Sequence, residues 1–114
     1  MKEIRAIIRP DKLPKLRTAL RALARFPGMS VSKVEGFGAP SRHVPHNIKE
    51  ELTDYSHKCR IEIVAPDEMA DPIVDCIVKV AQTGQAGDGL VWVTDVERAV
   101  FLRKTLHTPP PGGN

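Results

Sequence analysis

Within residues 58–64, KCRIEIV, the apolar Cys59, Ile61 and Ile63 alternate with the charged Arg60 and Glu62. Successive strand side chains point to opposite faces, so this run describes a β-strand with one buried face and one wet face. A chain built around it must cover the apolar face with something amphipathic. Two stretches qualify. Leu13, Leu16, Leu20 and Leu23 fall at helical spacing, with Asp11 as expected N-cap and Pro27-Gly28 as expected terminator. Met69, Ile73, Ile77 and Val80 form the apolar face of a second helix opened by Pro66-Asp67. Its Pro72 is expected within the first turn, where a missing N–H is harmless.

Further strands are expected at EIRAII (3–8), at MSVSKVEG (closing at Gly36), at LVWV (90–93) and at AVFLR (99–103). The order β-α-β-β-α-β predicts an α+β fold, a ferredoxin-like βαββαβ sandwich. The segment 37–57 shows neither period, which marks a long functional loop between strands 2 and 3. Two helices cover one face of a four-stranded sheet. Cys59, Ile61, Ile63 and Val64 are therefore not expected to be covered together, and the bare face predicts a homo-oligomer.

The 114 residues form one expected domain, 1–105, followed by a tail, 106–114, of disordered composition. MKEIRAIIRP is too short and too charged for a secretion signal, and no apolar run is long enough to cross a bilayer. Cys59 and Cys76 lack any CxxC spacing, so a reduced, cytoplasmic protein is expected. The net charge is +3, and Arg17, Arg21 and Arg25 fall four apart on one helical face. No aromatic residues interleave with them, so no nucleic-acid partner is expected.

TGQAGDGL (83–90) joins the second helix to LVWV. Its glycines let backbone amides approach an anion closely, although GDG is also a common tight turn. His43 and His46 form HxxH in the long loop, and His57 and Cys59 sit at its base. These donors suit zinc, copper or nickel, or else are solvated histidines beside a packed thiol. No nucleophile has a recognisable base beside it, and Asp67, Glu68 and Asp71 stabilise a helix start, so no catalysis is expected.

Taken together, KEIRAIIRPDKL, GMSVSKVEGFG, KCRIEIV and TGQAGDGLVWV followed by VERAVFLR, in this order and spacing, resemble the P-II (nitrogen regulatory) signal-transduction proteins. The resemblance implies a homotrimer whose long loops engage protein partners, with an adenine nucleotide (AMP, ADP or ATP) as effector in clefts between subunits. Carried onto this chain, Ile7, Ser30, Gly36, Phe37, Gly38 and Val64 would line the base and ribose side. Gly87, Asp88 and Gly89 would offer amides to phosphates, and Lys58 and Arg103 would supply charge. Three positions depart: Leu90 stands where family members usually have lysine, Phe101 where they have arginine, and Ala39 where a basic residue follows GFG. Losing these cations weakens a triphosphate more than a monophosphate. The only tyrosine is Tyr55, so the family's loop tyrosine modification has no counterpart, and the Ala-Pro-Ser after GFG lacks the glutamine of its 2-oxoglutarate response. GFGAP, KEELTDY and GDGLVWV resemble a P-II branch associated with heavy-metal efflux pumps. That points to a membrane transporter as partner, or alternatively to metal sensing through His43, His46, His57 and Cys59.

Overall fold

The computed structural model describes residues 1–37 and 55–102. Its elements run β1 (Lys2–Ile8), a 3₁₀ turn (Pro10–Lys12), α1 (Leu13–Arg21), β2 (Ser30–Phe37), β3 (Tyr55–Ala65), α2 (Asp67–Ala81) and β4 (Gly89–Asp95). The strands form an antiparallel sheet in the order β2-β3-β1-β4. This is the expected βαββαβ order, with both long connections right for a helix layer over one face. Among the described residues no helix is long and apolar enough to cross a membrane.

The alternation in KCRIEIV sets the layering. Cys59, Ile61, Ile63 and Ala65 share the covered face with Ile4, Ala6 and Ile8 of β1, and all are buried. Leu16 and Leu20 of α1 and Met69, Ile73 and Ile77 of α2 close over them. Each such side chain contributes roughly 1.5–3 kcal/mol on burial. The expectation that Cys59, Ile61, Ile63 and Val64 cannot be covered together therefore reduces to Val64 alone. The other three sit two apart and point the same way.

The opposite, open face carries an ion-pair belt instead of a core. Arg5 Nε lies 3.1 Å from Glu3 and 3.5 Å from Glu62, and Arg60 Nε lies 3.8 Å from Glu62. Register puts Ile7, Val34, Leu90 and Trp92 on this same face.

Several boundaries differ from expectation, each for a local reason. Asp11 does not cap α1. Pro10 starts a 3₁₀ turn, α1 begins at Leu13, and Pro14 in its first turn has no N–H for a cap to accept. The helix ends at Arg21, well before Pro27-Gly28. Turns from Leu23 to Leu20 and from Phe26 to Leu23 follow, with Arg25 in the left-handed region at φ 61°. Pro72 lies in the second turn of α2 rather than the first, leaving the Glu68 carbonyl without its usual i+4 donor. Burial of Met69, Ile73 and Ile77 against the core holds the helix through this defect.

The β2–β3 ladder runs on to Phe37↔Tyr55, so residues 55–57 of the expected loop belong to β3. Residues 99–102 form no strand. Among the described residues this segment pairs with neither edge strand, β2 or β4, and Val100 and Leu102 stand exposed. Gly38, His43, His46, Arg103 and the 106–114 tail lie outside the described residues.

Candidate functional site

The connection from α2 to β4 is shaped by glycines with positive φ: Gly84 (84°), Gly87 (90°) and Gly89 (105°). A Cβ on Gly89 would overlap the carbonyl oxygen of Ile7, because β4 begins directly against β1. Gly89 is thus fixed twice over, by conformation and by space.

Asp88 folds back into this turn. Its carboxylate accepts hydrogen bonds from the Thr83 hydroxyl, from the Thr83 amide at 2.7 Å and from the Gly84 amide at 2.9 Å. Arg9, the residue after β1, pairs with it at 3.1 Å and donates a second bond, 2.8 Å, to the Ala86 carbonyl. The Thr83 hydroxyl first, then the Thr83 amide, with Arg9 and the Gly84 amide adding, hold the carboxyl far below the ordinary carboxylate range. Asp88 therefore works as an ionised clasp within the loop.

Lys58 joins the loop from β3. Its ammonium donates to the Gly87 carbonyl, and its stem passes over Gly36, where a Cβ would come within 3.1 Å of the Lys58 Cγ. Among the described residues the Gly87 and Asp88 amides make no hydrogen bond to a partner. One end of the sheet thus gathers Gly36, Lys58, Gly87, Asp88, Gly89, Arg9 and Ile7: two cations, a carboxylate and unpaired amides. This is the composition of a modest anion site.

Ser30 and Val64 lie elsewhere. Ser30 pairs with Glu62 at the start of β2, while Gly36 pairs with Ser56 near its end. Six residues of strand separate them, about 20 Å at roughly 3.4 Å per residue. Ser30 and Val64 line a separate open cavity of about 590 Å³ with Glu3, Met29, Glu62 and Phe101. One chain therefore does not bring the expected residues into one pocket. A smaller groove of about 170 Å³ runs between α2 and β4, lined mainly by Ile77, Val78, Ala81, Leu90 and Val91. It offers few polar groups to a charged ligand.

A model of the nitrogen regulatory protein P-II family matches residues 1–105. The chain belongs to the P-II family. Nitrogen regulatory protein P-II 1 of Escherichia coli (strain K12) is 43% identical over 104 residues, covering 90% of this chain and 92% of that protein. The P-II proteins of Klebsiella oxytoca and Haemophilus influenzae are 42% and 38% identical, with the same coverage. A nitrogen regulatory signalling family thus accounts for nearly the whole chain.

Within this P-II chain, the metal-ligand candidates separate. Cys59 is buried in the core at 5% exposure, whereas His57, two residues earlier, is exposed. Among the described residues no group of three His, Cys, Asp or Glu side chains converges. Arg9 and Thr83 escaped the sequence reading. Their signal was faint: Arg9 follows a strand whose neighbour starts at Gly89, so its side chain had to meet the GDG turn once that pairing was known. The Phe37 side chain lies outside the described set, although its backbone closes the β2–β3 ladder.

Proposed function

We propose that this P-II chain works as a homotrimeric regulator that reads an adenine nucleotide in clefts between subunits and reports it through the segment between β2 and β3. The reading is supported by one observation above all. The residues suited to a phosphate (Gly87, Asp88, Gly89, Lys58) share one end of the sheet with Ile7 and Gly36 of the base side, whereas Ser30 and Val64 of that same base side lie at the other end. Two half-sites on one chain become whole sites when copies meet, with the glycine end of one against the Ser30 end of the next. The open sheet face, with Ile7, Val34, Leu90 and Trp92 among its charges, is the natural surface for that meeting.

The chemistry favours a short phosphate chain. Lys58 and Arg9 already serve the Gly87 carbonyl, the Ala86 carbonyl and Asp88, and Leu90, 59% exposed, adds no charge. AMP or ADP then binds better than ATP, largely through amides. A phosphate would compete with the Gly87 carbonyl for the Lys58 ammonium. Lys58 lies over Gly36, next to the start of the long segment, so its displacement alters the base of that segment. The ligand shifts the segment only to the extent that it binds the two arrangements unequally. The partner is a protein, and the resemblance to efflux-associated relatives suggests a membrane transporter.

Titration calorimetry with AMP, ADP and ATP, alongside sedimentation velocity, tests the reading. The expected result is a trimer with affinity falling as phosphates are added. A monomer, or no heat with any adenylate, contradicts it.

A further inference from the structure

Between Asp11 and Glu35 the chain carries six cations (Lys12, Lys15, Arg17, Arg21, Arg25 and Lys33) and no acid. With a net charge of +3 overall, the rest of the molecule is acidic, and the positive charge concentrates on and around α1. Lys15, Arg17, Arg21 and Arg25 are all exposed, and among the described residues none forms an ion pair. This is so although the neighbouring α2 bears exposed Asp71 and Asp75.

A solvated helix face accounts for scattered charge, but not for Arg25. That residue sits at φ 61°, in the left-handed region that glycine occupies most readily after a helix, yet the position holds an arginine. Arg25 thus carries the row of cations past the end of α1 at Arg21.

The shape of the surface narrows the partner. Leu16 and Leu20 anchor α1 on the core, which leaves the cations on its outward flanks, and neither of the two cavities described above is lined by α1. A charged helix face outside both cavities suits a broad polyanionic plane better than a peptide that needs pockets. It also lacks the aromatic platform and groove-reading helix of a nucleic-acid binder. The face is opposite the open sheet surface, so it stays exposed in an assembly formed through that surface.

We propose that the α1 face docks on an anionic bilayer, peripherally and by charge alone. Basic residues near such a surface each contribute roughly a fivefold gain in affinity, and salt screens them.

Vesicle co-sedimentation of the full chain tests this, comparing phosphatidylcholine with phosphatidylcholine–phosphatidylglycerol mixtures at low and high salt. Expected are binding to the anionic vesicles alone, loss at high salt, loss with Arg17→Glu/Arg21→Glu, and a fall of about fivefold with Arg25→Gly. Lys79→Glu removes an exposed cation from α2, off the patch, and is expected to leave binding nearly unchanged. The proposal is overturned by equal binding to neutral vesicles, by no vesicle binding, or by a Lys79→Glu loss as large as that of Arg25→Gly. Tighter retention on duplex DNA than on anionic vesicles at the same salt also overturns it. Nucleotide titration of the same variants keeps this result separate from the cleft, which none of these substitutions touches.

Discussion

The two ends of the sheet solve different problems. At the Gly89 end everything is pinned. Gly89 abuts the Ile7 carbonyl, Asp88 clasps the Thr83 and Gly84 amides, Arg9 braces Asp88, and Lys58 ties the Gly87 carbonyl to Gly36. At the Ser30 end there is an open cavity of about 590 Å³ bordered by Glu3, Glu62, Val64 and Phe101, whose two acids are engaged by Arg5 and Arg60 rather than pinned into a turn. The lesson is a division of labour. A rigid, charge-satisfied turn presents amides in fixed positions, while the recess at the other end is open and walled by Glu3, Ser30 and Glu62 as well as Val64 and Phe101.

The largest effect is expected from breaking the rigid end. Gly89→Ala combines positive-φ strain with overlap on the Ile7 carbonyl, and is expected to destabilise by about 3 kcal/mol or more, read from urea unfolding. A loss under 1 kcal/mol would show that β4 moves away from β1 without resistance.

Next in size, the charge contrast is sharpened by restoring cations. Leu90→Lys and Phe101→Arg are each expected to tighten ATP about tenfold or more, and AMP less, by calorimetry. Equal gains for both ligands would mean that the added charge does not reach the outer phosphates.

A smaller effect is expected from trimming the loose end. Val64→Ala, at a half-buried position on the open face, is expected to cost about 1 kcal/mol of ligand affinity while leaving the unfolding midpoint of the ligand-free chain nearly unchanged. A larger loss of stability than of affinity would make Val64 a packing residue instead.

The subtlest prediction concerns pH. The folded state holds the Asp88 carboxyl below its unfolded value near 3.9, so its contribution is complete above that pH. It disappears as pH falls toward the folded value and the carboxylate is protonated. The Thr83 and Gly84 amide resonances should hold steady from neutrality to about pH 4 and shift below it. Asp88→Asn should remove that titration. A shift centred near neutrality would assign the clasp to another group.

How much of this was legible follows from which interactions are local. The alternation in KCRIEIV and the leucine spacing of α1 fixed the layers, because each pattern is a property of one element. Pro72 and Arg25 defied local expectation. Burial of Met69, Ile73 and Ile77 outweighs a proline in the second turn, and α1 stops a full turn before its proline–glycine signal. The 99–103 run reads as a strand by composition, yet its described residues, 99–102, join neither edge of the sheet, β2 or β4, so composition alone does not make a ladder.

The site divides the same way. Gly87, Asp88, Gly89 and Lys58 were legible as glycine-loop chemistry, but the Asp88 clasp and Arg9 depend on the β1–β4 pairing, which no short window contains. Cys59 shows a limit of the pattern: it shares one face of β3 with His57, but the helix layer covers Cys59 and leaves His57 exposed, which only the assembled fold reveals.

Mixed assemblies address the shared cleft most directly. One chain would carry Lys58→Met at the rigid end, its partner Val64→Arg at the loose end, and each alone would fail to bind AMP. Co-assembled and purified through two tags, they should regain AMP binding, because the intact loop of the second chain then faces the intact recess of the first. If the mixed oligomers form and remain as inert as either parent, the two half-sites do not meet across chains and the account is wrong.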